Sequence, residues 1–206
     1  MDPQILKKAQ QHLSRRDTVL KGVIGTVGVC TLRHDEDHFS VLTRSIISQQ
    51  ISTRAAIAIS TRLLSKIRRF QPKRILDASE ETLREAGLSQ GKQRALRDLA
   101  EKCKSGVVPL KKLASWDDEA VIEALVQVHG IGRWTAEMFL IFSLGRLDVL
   151  PVGDFGLRSG MQRHYELPEM PKKDTMIELA ESWKPYRTIG TWYIWRSLGG
   201  VPQSEA

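Results

Sequence analysis

Two glycines that flank one apolar residue, in Gly130-Ile131-Gly132, lie between the end of one predicted helix and the start of another. Gly130 can adopt the left-handed conformation that terminates a helix, because it has no Cβ atom to clash. Gly132 leaves the backbone bare before the next helix, whose first amides and positive dipole end could together hold one phosphate group. Thr135, in the first turn, could add a hydroxyl group. A tight helix–helix turn without a ligand fits about as well, so the glycines alone leave both interpretations open.

One aspartate, Asp154, lies 24 residues after Gly130 and directly follows the loop Leu150-Pro151-Val152-Gly153. The sequence predicts that Asp154 begins a helix, where nearby amides and the helix dipole would keep its carboxylate ionised. A carboxylate held in this way could stabilise a developing positive charge, or orient an attacking water molecule. An aspartate before an apolar helix is also an ordinary N-cap, and the two roles can coexist.

The elements that would position these residues are predicted to be helices, because apolar residues recur at three- and four-residue spacings along almost the whole chain. Strand-like alternation is confined to residues 22–32, which we predict to form a loop, and Pro72 interrupts the helical pattern. We therefore predict an all-α protein of about ten helices. The predicted segments are 38–50, 53–69, Ser79 to Gly87, 90–104, Ser115 to Gly130, 133–144, Asp154 to Tyr165, 175–184 capped by Asp174, and Tyr186 towards Gly199-Gly200.

The charge balance indicates a polyanionic partner, because 31 Lys and Arg residues outnumber 24 Asp and Glu residues to give a net charge of +7. Two cysteines, Cys30 and Cys103, are too few for a disulfide framework, an all-cysteine zinc site or a four-cysteine iron–sulfur cluster. No apolar run approaches the roughly 20 residues of a membrane span, and the N-terminus does not resemble a signal peptide. We therefore expect a soluble, intracellular protein that has no membrane partner.

Four segments in order resemble one family. VHGIGRWTA at 128–136 resembles the helix-hairpin-helix of the DNA glycosylase superfamily, which pairs this hairpin with a Gly/Pro-rich loop and an aspartate, here LPVGD at 150–154. SIISQQIS at 45–52 resembles the wedge loop of the alkylbase (3-methyladenine DNA glycosylase II) branch. WKPYR at 183–187, with YIW at 193–195, is similar to the C-terminal helices of that branch. The chain resembles a compact form without the N-terminal β domain that some relatives carry.

The resemblance implies an all-α helix-hairpin-helix glycosylase fold in which two helical lobes flank a DNA-binding cleft. Residues 36–145 are expected to form the lobe with the wedge loop and the hairpin. Residues 1–35 and 146–206 are expected to form a second lobe from both termini.

The resemblance also implies that Asp154 is the catalytic residue, and that Trp134, Met138 and Trp195 line the pocket for the target base. Trp134 stands where bifunctional relatives carry a lysine nucleophile, and an indole cannot form a Schiff base. We therefore expect a monofunctional glycosylase that uses water. Alkylated purines such as 3-methyladenine and 7-methylguanine are cationic, so they leave easily and are attracted to aromatic rings. For Met138, core packing is the more ordinary interpretation.

Contacts with the DNA backbone and the base stack are implied in the same way. The residues expected to bind DNA are Gly130, Gly132, Arg133 and Thr135 of the hairpin and Gln50 and Ile51 of the wedge loop. Main-chain carbonyls of Val126, Val128 and Ile131 are expected to hold a structural Na⁺ or K⁺, whereas catalysis should require no cofactor. Lys92, at a helix start that resembles a second anchor, is a further candidate for phosphate contact.

The expected partner is double-stranded DNA that contains alkylated bases, bound by a monomer during base-excision repair. The compartment would be the bacterial nucleoid or cytoplasm, or the eukaryotic nucleus. Two alternatives remain open, namely a non-catalytic helix-hairpin-helix DNA-binding protein and a bifunctional glycosylase/lyase. A helical protein whose glycines only turn the chain is a third, and it predicts no salt-dependent affinity for DNA.

Overall fold

The computed structural model describes residues 1–201, and within that range the chain is all-α, with no strand. Twelve α-helices and two 3₁₀ turns, at Leu113–Ser115 and Ala180–Trp183, make up the regular structure of this range. None of the helices in this part of the chain is long and apolar enough to span a membrane. The α-helices are α1 Pro3–Arg16, α2 Thr18–Val27, α3 His38–Ser48, α4 Thr53–Ile67, α5 Pro72–Asp77, α6 Glu80–Glu85, α7 Gln90–Ser105, α8 Asp118–Leu125, α9 Arg133–Phe142, α10 Phe155–His164, α11 Lys173–Leu179 and α12 Arg187–Ser197.

Side-chain caps fix many of the helix starts. Ser79 and Ser89 each accept a hydrogen bond from the amide three residues on, and Asp117 does the same at the start of α8. These caps satisfy amides that have no partner inside the helix. The predicted starts of α6, α7 and α8 are therefore confirmed to within a few residues.

Contacts divide the chain into two compact units. Within the described residues, the first joins Met1–His34 to residues 145–201, and the second is Asp35–Leu144. The predicted division was 36–145 against 1–35 and 146–206, of which residues 202–206 lie outside the described residues.

The first unit packs α1, α2, α10, α11 and α12 around Leu13, Leu20 and Tyr193, all fully buried. One buried carboxylate, Asp17, ties three of these segments together. Its oxygens accept hydrogen bonds from the Leu20 amide, the Trp183 indole and the Tyr165 hydroxyl. Three donors therefore satisfy this one buried carboxylate.

The second unit packs α3 against α4, α7 and α9, and α7 also against α5 and α6. Its core is formed by large apolar side chains with no exposed surface, including Leu42, Ile46, Leu63, Leu96 and Ile141. The periodic spacing of apolar residues in the sequence places them on one face of each helix, and these faces meet in the core of the unit.

Several sequence predictions were wrong in detail. Residues 22–27 belong to helix α2 and not to a loop, because Asp17 caps that helix and its apolar face is buried. Pro72 begins α5 instead of only interrupting a helix, since proline is well tolerated in a first turn. Asp174 lies in the first turn of α11, which begins after Lys172. With α1, α2 and α5 added, the described chain has more helices than the ten predicted.

Candidate active site

In the first unit, Asp154 occupies the N-cap position of α10 and is 7% exposed. Its Oδ1 atom accepts a hydrogen bond of 2.6 Å from the Leu157 amide and one of 2.8 Å from Nε1 of Trp195. Both donors stabilise negative charge on the carboxylate, and the amide lies at the positive end of the helix dipole. Two bonds to one oxygen also fix the orientation of the side chain. The predicted catalytic residue and one predicted pocket residue are therefore in direct contact.

Two glycines on α10 allow α12 to approach closely enough for this contact. A Cβ atom at Gly160 would lie 2.3 Å from Cγ2 of Ile194, which is far inside van der Waals contact. A Cβ atom at Gly156 would lie 3.2 Å from Oδ1 of Asp154 and 3.5 Å from Cδ1 of Trp195. The bare faces of these glycines set the distance between the helices, and with it the reach of the Trp195 indole to Asp154.

The aromatic residues near Asp154 differ sharply in exposure. Trp195 is only 2% exposed, and its indole N–H is bound to the Asp154 carboxylate. Phe155, the residue after Asp154, is 72% exposed. A large apolar side chain that is left in water beside a buried carboxylate is unusual and suggests a contact surface. The sequence analysis did not single out Phe155, because one aromatic at a helix start carries no periodic signal.

In the second unit, the hairpin joins α8 to α9 through a turn that is longer than the sequence predicts. Helix α8 ends at Leu125 instead of continuing to Gly130, and short-range hydrogen bonds from Val128 to Leu125 and from Ile131 to Val128 form the turn. Gly130 does adopt the left-handed region, with φ of +81°. The turn therefore places Gly130 as predicted, although not as a helix cap.

Backbone amides without a backbone acceptor lie at the start of α9. Gly132 is the N-cap, its φ and ψ of −97° and 176° are extended, and no side chain caps the helix within the described residues. In the same part of the chain, the amides of Gly132, Arg133 and Thr135 donate to no backbone carbonyl. Unpaired donors at a helix start are the groups that bind an anion.

The wedge loop contacts this hairpin. Helix α3 ends at Ser48, and Nε2 of Gln49 donates a 2.9 Å hydrogen bond to the carbonyl oxygen of Gly130. Gln50 follows with φ of +58°, a conformation that costs energy for a residue with a Cβ atom. Gln50 is exposed and Ile51 is 37% exposed, so both predicted wedge residues project from a strained and anchored loop.

The other predicted site residues lie on or near α9. Trp134 is 37% exposed, whereas Met138 and Thr135 are buried. The Arg133 guanidinium pairs with Glu119 and with Glu137, and these interactions raise its pKa. Thr135 is therefore covered, and Arg133 already has two acidic partners.

Lys92 already has a partner within its own unit. Its Nζ atom donates a 2.6 Å hydrogen bond to the carbonyl oxygen of Ile47, and burial lowers its pKa. This bond joins α7 to the last turn of α3. Lys92 therefore supports the segment that precedes the wedge loop.

The three carbonyls predicted to hold a monovalent cation differ in their hydrogen bonding. The Val128 carbonyl accepts from the Ile131 amide at 3.0 Å, whereas within the described residues the carbonyls of Val126 and Ile131 accept from no backbone amide. Carbonyl oxygens with open lone pairs suit a hard cation. Elsewhere in residues 1–201 no group of three or more His, Cys, Asp and Glu side chains could hold a metal ion.

Comparison with known proteins places these features in a family. Residues 43–185 match the family described as HhH-GPD superfamily base excision DNA repair protein. The chain is 37% identical over 199 residues to DNA-3-methyladenine glycosylase 1 of Schizosaccharomyces pombe, covering 93% of this chain and 87% of that protein. It is 32% identical over 197 residues to the alkylbase DNA glycosidase-like protein mag2 of the same yeast, covering 92% of each.

Solved structures agree with these sequence matches. The structure of S. pombe 3-methyladenine DNA glycosylase (Mag1) in complex with abasic DNA matches with a TM-score of 0.80 and 36% identity, covering 92% of this chain and 95% of that one. A DNA-3-methyladenine glycosidase from Bacillus halodurans matches with a TM-score of 0.84 and 36% identity, covering 93% of this chain and 89% of that one. The family match covers the wedge loop, the hairpin and Asp154 in the predicted order, and the chain belongs to the HhH-GPD superfamily of base excision DNA repair proteins.

Proposed function

We propose that this chain is a monofunctional DNA glycosylase that removes alkylated, cationic purines by hydrolysis of the N-glycosidic bond. The observation that carries the proposal is the Asp154 carboxylate, buried at a helix start and held by the Leu157 amide and the Trp195 indole. Relatives named DNA-3-methyladenine glycosylases, at 37% and 32% identity, support the same substrate class.

The carboxylate of Asp154 suits the charge that this reaction develops. As the bond between the sugar C1′ and the base nitrogen breaks, its electron pair leaves with the base and the sugar becomes positively charged. A fixed carboxylate stabilises that charge without reorganisation. Water then attacks C1′ and loses a proton, so the products are the free base and an abasic sugar. A methylated purine such as 7-methylguanine is neutralised as it leaves, so it requires little help from an acid.

The hairpin supports a mechanism that uses water instead of an enzyme amine. Trp134 occupies the second position of α9, where bifunctional relatives carry the lysine nucleophile, and neither Arg133 nor Thr135 beside it can replace that amine. Without a Schiff base there is no β-elimination of the strand. The expected product is an abasic site in an intact backbone.

DNA is the proposed partner, and the amides at the start of α9 are the proposed phosphate ligands. The net charge of +7 favours the same partner. The strained Gln50 and the exposed Ile51 are the proposed wedge residues, because a base that leaves the stack opens a gap that a side chain can fill. The ring of Trp134, which is 37% exposed, is a proposed contact for the cationic base.

A cation at the hairpin is also part of this proposal. The carbonyls of Val126 and Ile131, with that of Val128, would hold Na⁺ or K⁺ and would add positive charge close to the phosphate ligands. No step of the chemistry depends on this ion.

The test is a product analysis of the purified chain on duplexes that carry one 7-methylguanine and on the matching unmodified duplex. The proposal predicts free 7-methylguanine, a strand that breaks only after heating in alkali, and no complex trapped by borohydride. A trapped complex would instead assign a bifunctional glycosylase/lyase. Binding of the duplex without any released base would assign a non-catalytic DNA-binding protein. Either result would overturn the proposal.

A further inference from the structure

Two side chains of α7, one helical turn apart, hold the backbone of the hairpin. Oδ2 of Asp98 accepts a 2.6 Å hydrogen bond from the amide of His129. Nζ of Lys102 donates to both carboxylate oxygens of Asp98, at 2.8 and 2.7 Å, and to the carbonyl oxygen of Gln127 at 2.7 Å. The pair therefore grips the turn at Gln127 and at His129, just before Gly130.

The turn lies directly against α7 at the next residue as well. A Cβ atom at Gly130 would lie 3.2 Å from the Cβ atom of Ala95, so only glycine fits here without displacing a neighbour. From the other side, Gln49 donates to the carbonyl oxygen of Gly130. The peptide units that lead into Gly132 are thus fixed by three side chains from outside the hairpin, and none of the three lies on α8 or α9.

The charge of Asp98 makes its position informative. Burial opposes ionisation of this carboxyl, but the hydrogen bond from Lys102 and that from the His129 amide outweigh burial and hold its pKa below its usual value. An ionised carboxylate beside amides that bind phosphate would by itself repel DNA. Asp98 therefore strengthens DNA binding only if its orientation of the hairpin backbone contributes more to the affinity than its negative charge costs.

We propose that Asp98, neutralised by Lys102, is a positioning residue for the phosphate anchor. It does not contact DNA, but it orients the His129 peptide and so the amides of Gly132, Arg133 and Thr135. This inference rests on the proposed function, because it assumes that those amides bind a DNA phosphate.

The effect is expected in binding more than in the chemical step. Removal of the carboxylate in Asp98→Ala frees the turn at His129, and loss of a hydrogen bond to a charged group corresponds to about a tenfold or greater change in an equilibrium constant. We expect the Kd for duplex DNA to rise by about that factor. We also expect the slope of log K against log salt to become shallower by about one, as for one lost phosphate contact.

The conservative variant separates positioning from charge. In Asp98→Asn the side-chain carbonyl can still accept from the His129 amide while the negative charge is gone. Positioning predicts that Asn restores Kd to within about threefold of the unmodified protein, and that only Ala weakens binding. Simple repulsion predicts the reverse sign, with tighter binding in both variants.

The experiment measures the Kd for a duplex of fixed sequence at four salt concentrations, with the melting temperature of each variant. The matched control is Glu85→Gln, which removes the partner of Lys66, another ion pair of the same unit that lies outside the hairpin and the wedge loop. The control is expected to leave Kd and the salt slope unchanged. If Asp98→Ala lowers only the melting temperature, or if both Asp98 variants bind more tightly, the inference is wrong.

The test also covers a variant that does not fold and a failure of the proposed function. If Asp98→Ala does not fold, the test uses Asp98→Asn. A Kd and salt slope near those of the unmodified protein, together with a retained His129 amide resonance, support the inference. A Kd that rises about tenfold in Asp98→Asn, as expected when the amides are no longer oriented, contradicts it. Failure of the proposed function is distinguishable, because the unmodified protein would then show no salt-dependent DNA binding at all.

Discussion

Replacement of Trp195 by phenylalanine tests whether the indole N–H is needed to hold Asp154 in its working orientation. The substitution keeps an aromatic ring in a site that is 2% exposed, but removes the 2.8 Å hydrogen bond to Oδ1. The hydrogen bond from the Leu157 amide to Oδ1 is retained. The carboxylate gains freedom to rotate away from the position where it would face the sugar.

The size of the effect follows from the bond that is lost. A hydrogen bond to a charged group contributes about 1.5–3 kcal/mol. If the activation free energy rises by this full amount, single-turnover base release should slow by about 10- to 150-fold. The Kd for the duplex should change little, because the amides proposed to bind phosphate lie in the other unit.

Two other buried tryptophans of the same unit supply matched controls. Trp183→Phe also removes an indole bond to a buried carboxylate, the 2.9 Å bond to Asp17. This variant should be less stable. The rate of base release per folded molecule should stay unchanged. Trp192→Phe, on the same helix as Trp195, should slow base release less than Trp195→Phe does. The assay is release of 7-methylguanine with enzyme in excess, beside urea unfolding of each variant. Equal rates for the Trp195 and Trp183 variants would refute the reasoning.

Three further predictions concern packing, the wedge loop and acid stability. Gly160→Ala places a methyl group against Ile194 and should destabilise the chain by about 1–3 kcal/mol, measured as a lower urea midpoint, whereas an unchanged midpoint would contradict the packing argument. Gln49→Ala frees the wedge loop from the hairpin. In single-turnover assays it should slow excision of an alkylated base in a normal base pair more than excision of the same base in a mismatch. Equal slowing of both would refute the coupling. Although burial acts in the opposite direction, hydrogen bonds hold the pKa of Asp98 below its unfolded value, so its contribution to stability is present above about pH 4 and is lost as the pH falls through the folded pKa. The gap in urea midpoint between the unmodified chain and Asp98→Asn should therefore narrow in acid, and a constant gap would contradict this assignment.

Helix starts and the left-handed glycine could be predicted from the sequence because they depend on local chemistry. Ser79, Ser89 and Asp154 each cap a helix through their own side chain, and a cap of this kind is visible in a few residues. Gly130 was predictable in the same way, since a helix-to-helix turn favours a residue without a Cβ atom. Residues 22–27 were misjudged because glycine and β-branched residues disfavour helix locally, whereas the buried face of α2 overrides that preference.

Contacts over long sequence distances could not be predicted from the same patterns. The bond from Trp195 to Asp154 joins residues 41 positions apart, and that from Asp98 to His129 joins residues 31 apart. Neither leaves a periodic signal. Family resemblance named Trp195 as a residue of the base pocket, but only the structure shows that its indole holds the carboxylate. It also shows the exposed Phe155, which no spacing argument selected.

The central claim is that the Asp154 carboxylate carries the chemistry. It is tested most directly by single-turnover release of 7-methylguanine from one defined duplex by the unmodified chain and by Asp154→Asn, with the Kd of each measured on the same duplex. The account predicts that base release is almost abolished in Asp154→Asn while duplex binding is largely retained. Release by Asp154→Asn at the rate of the unmodified chain would contradict it.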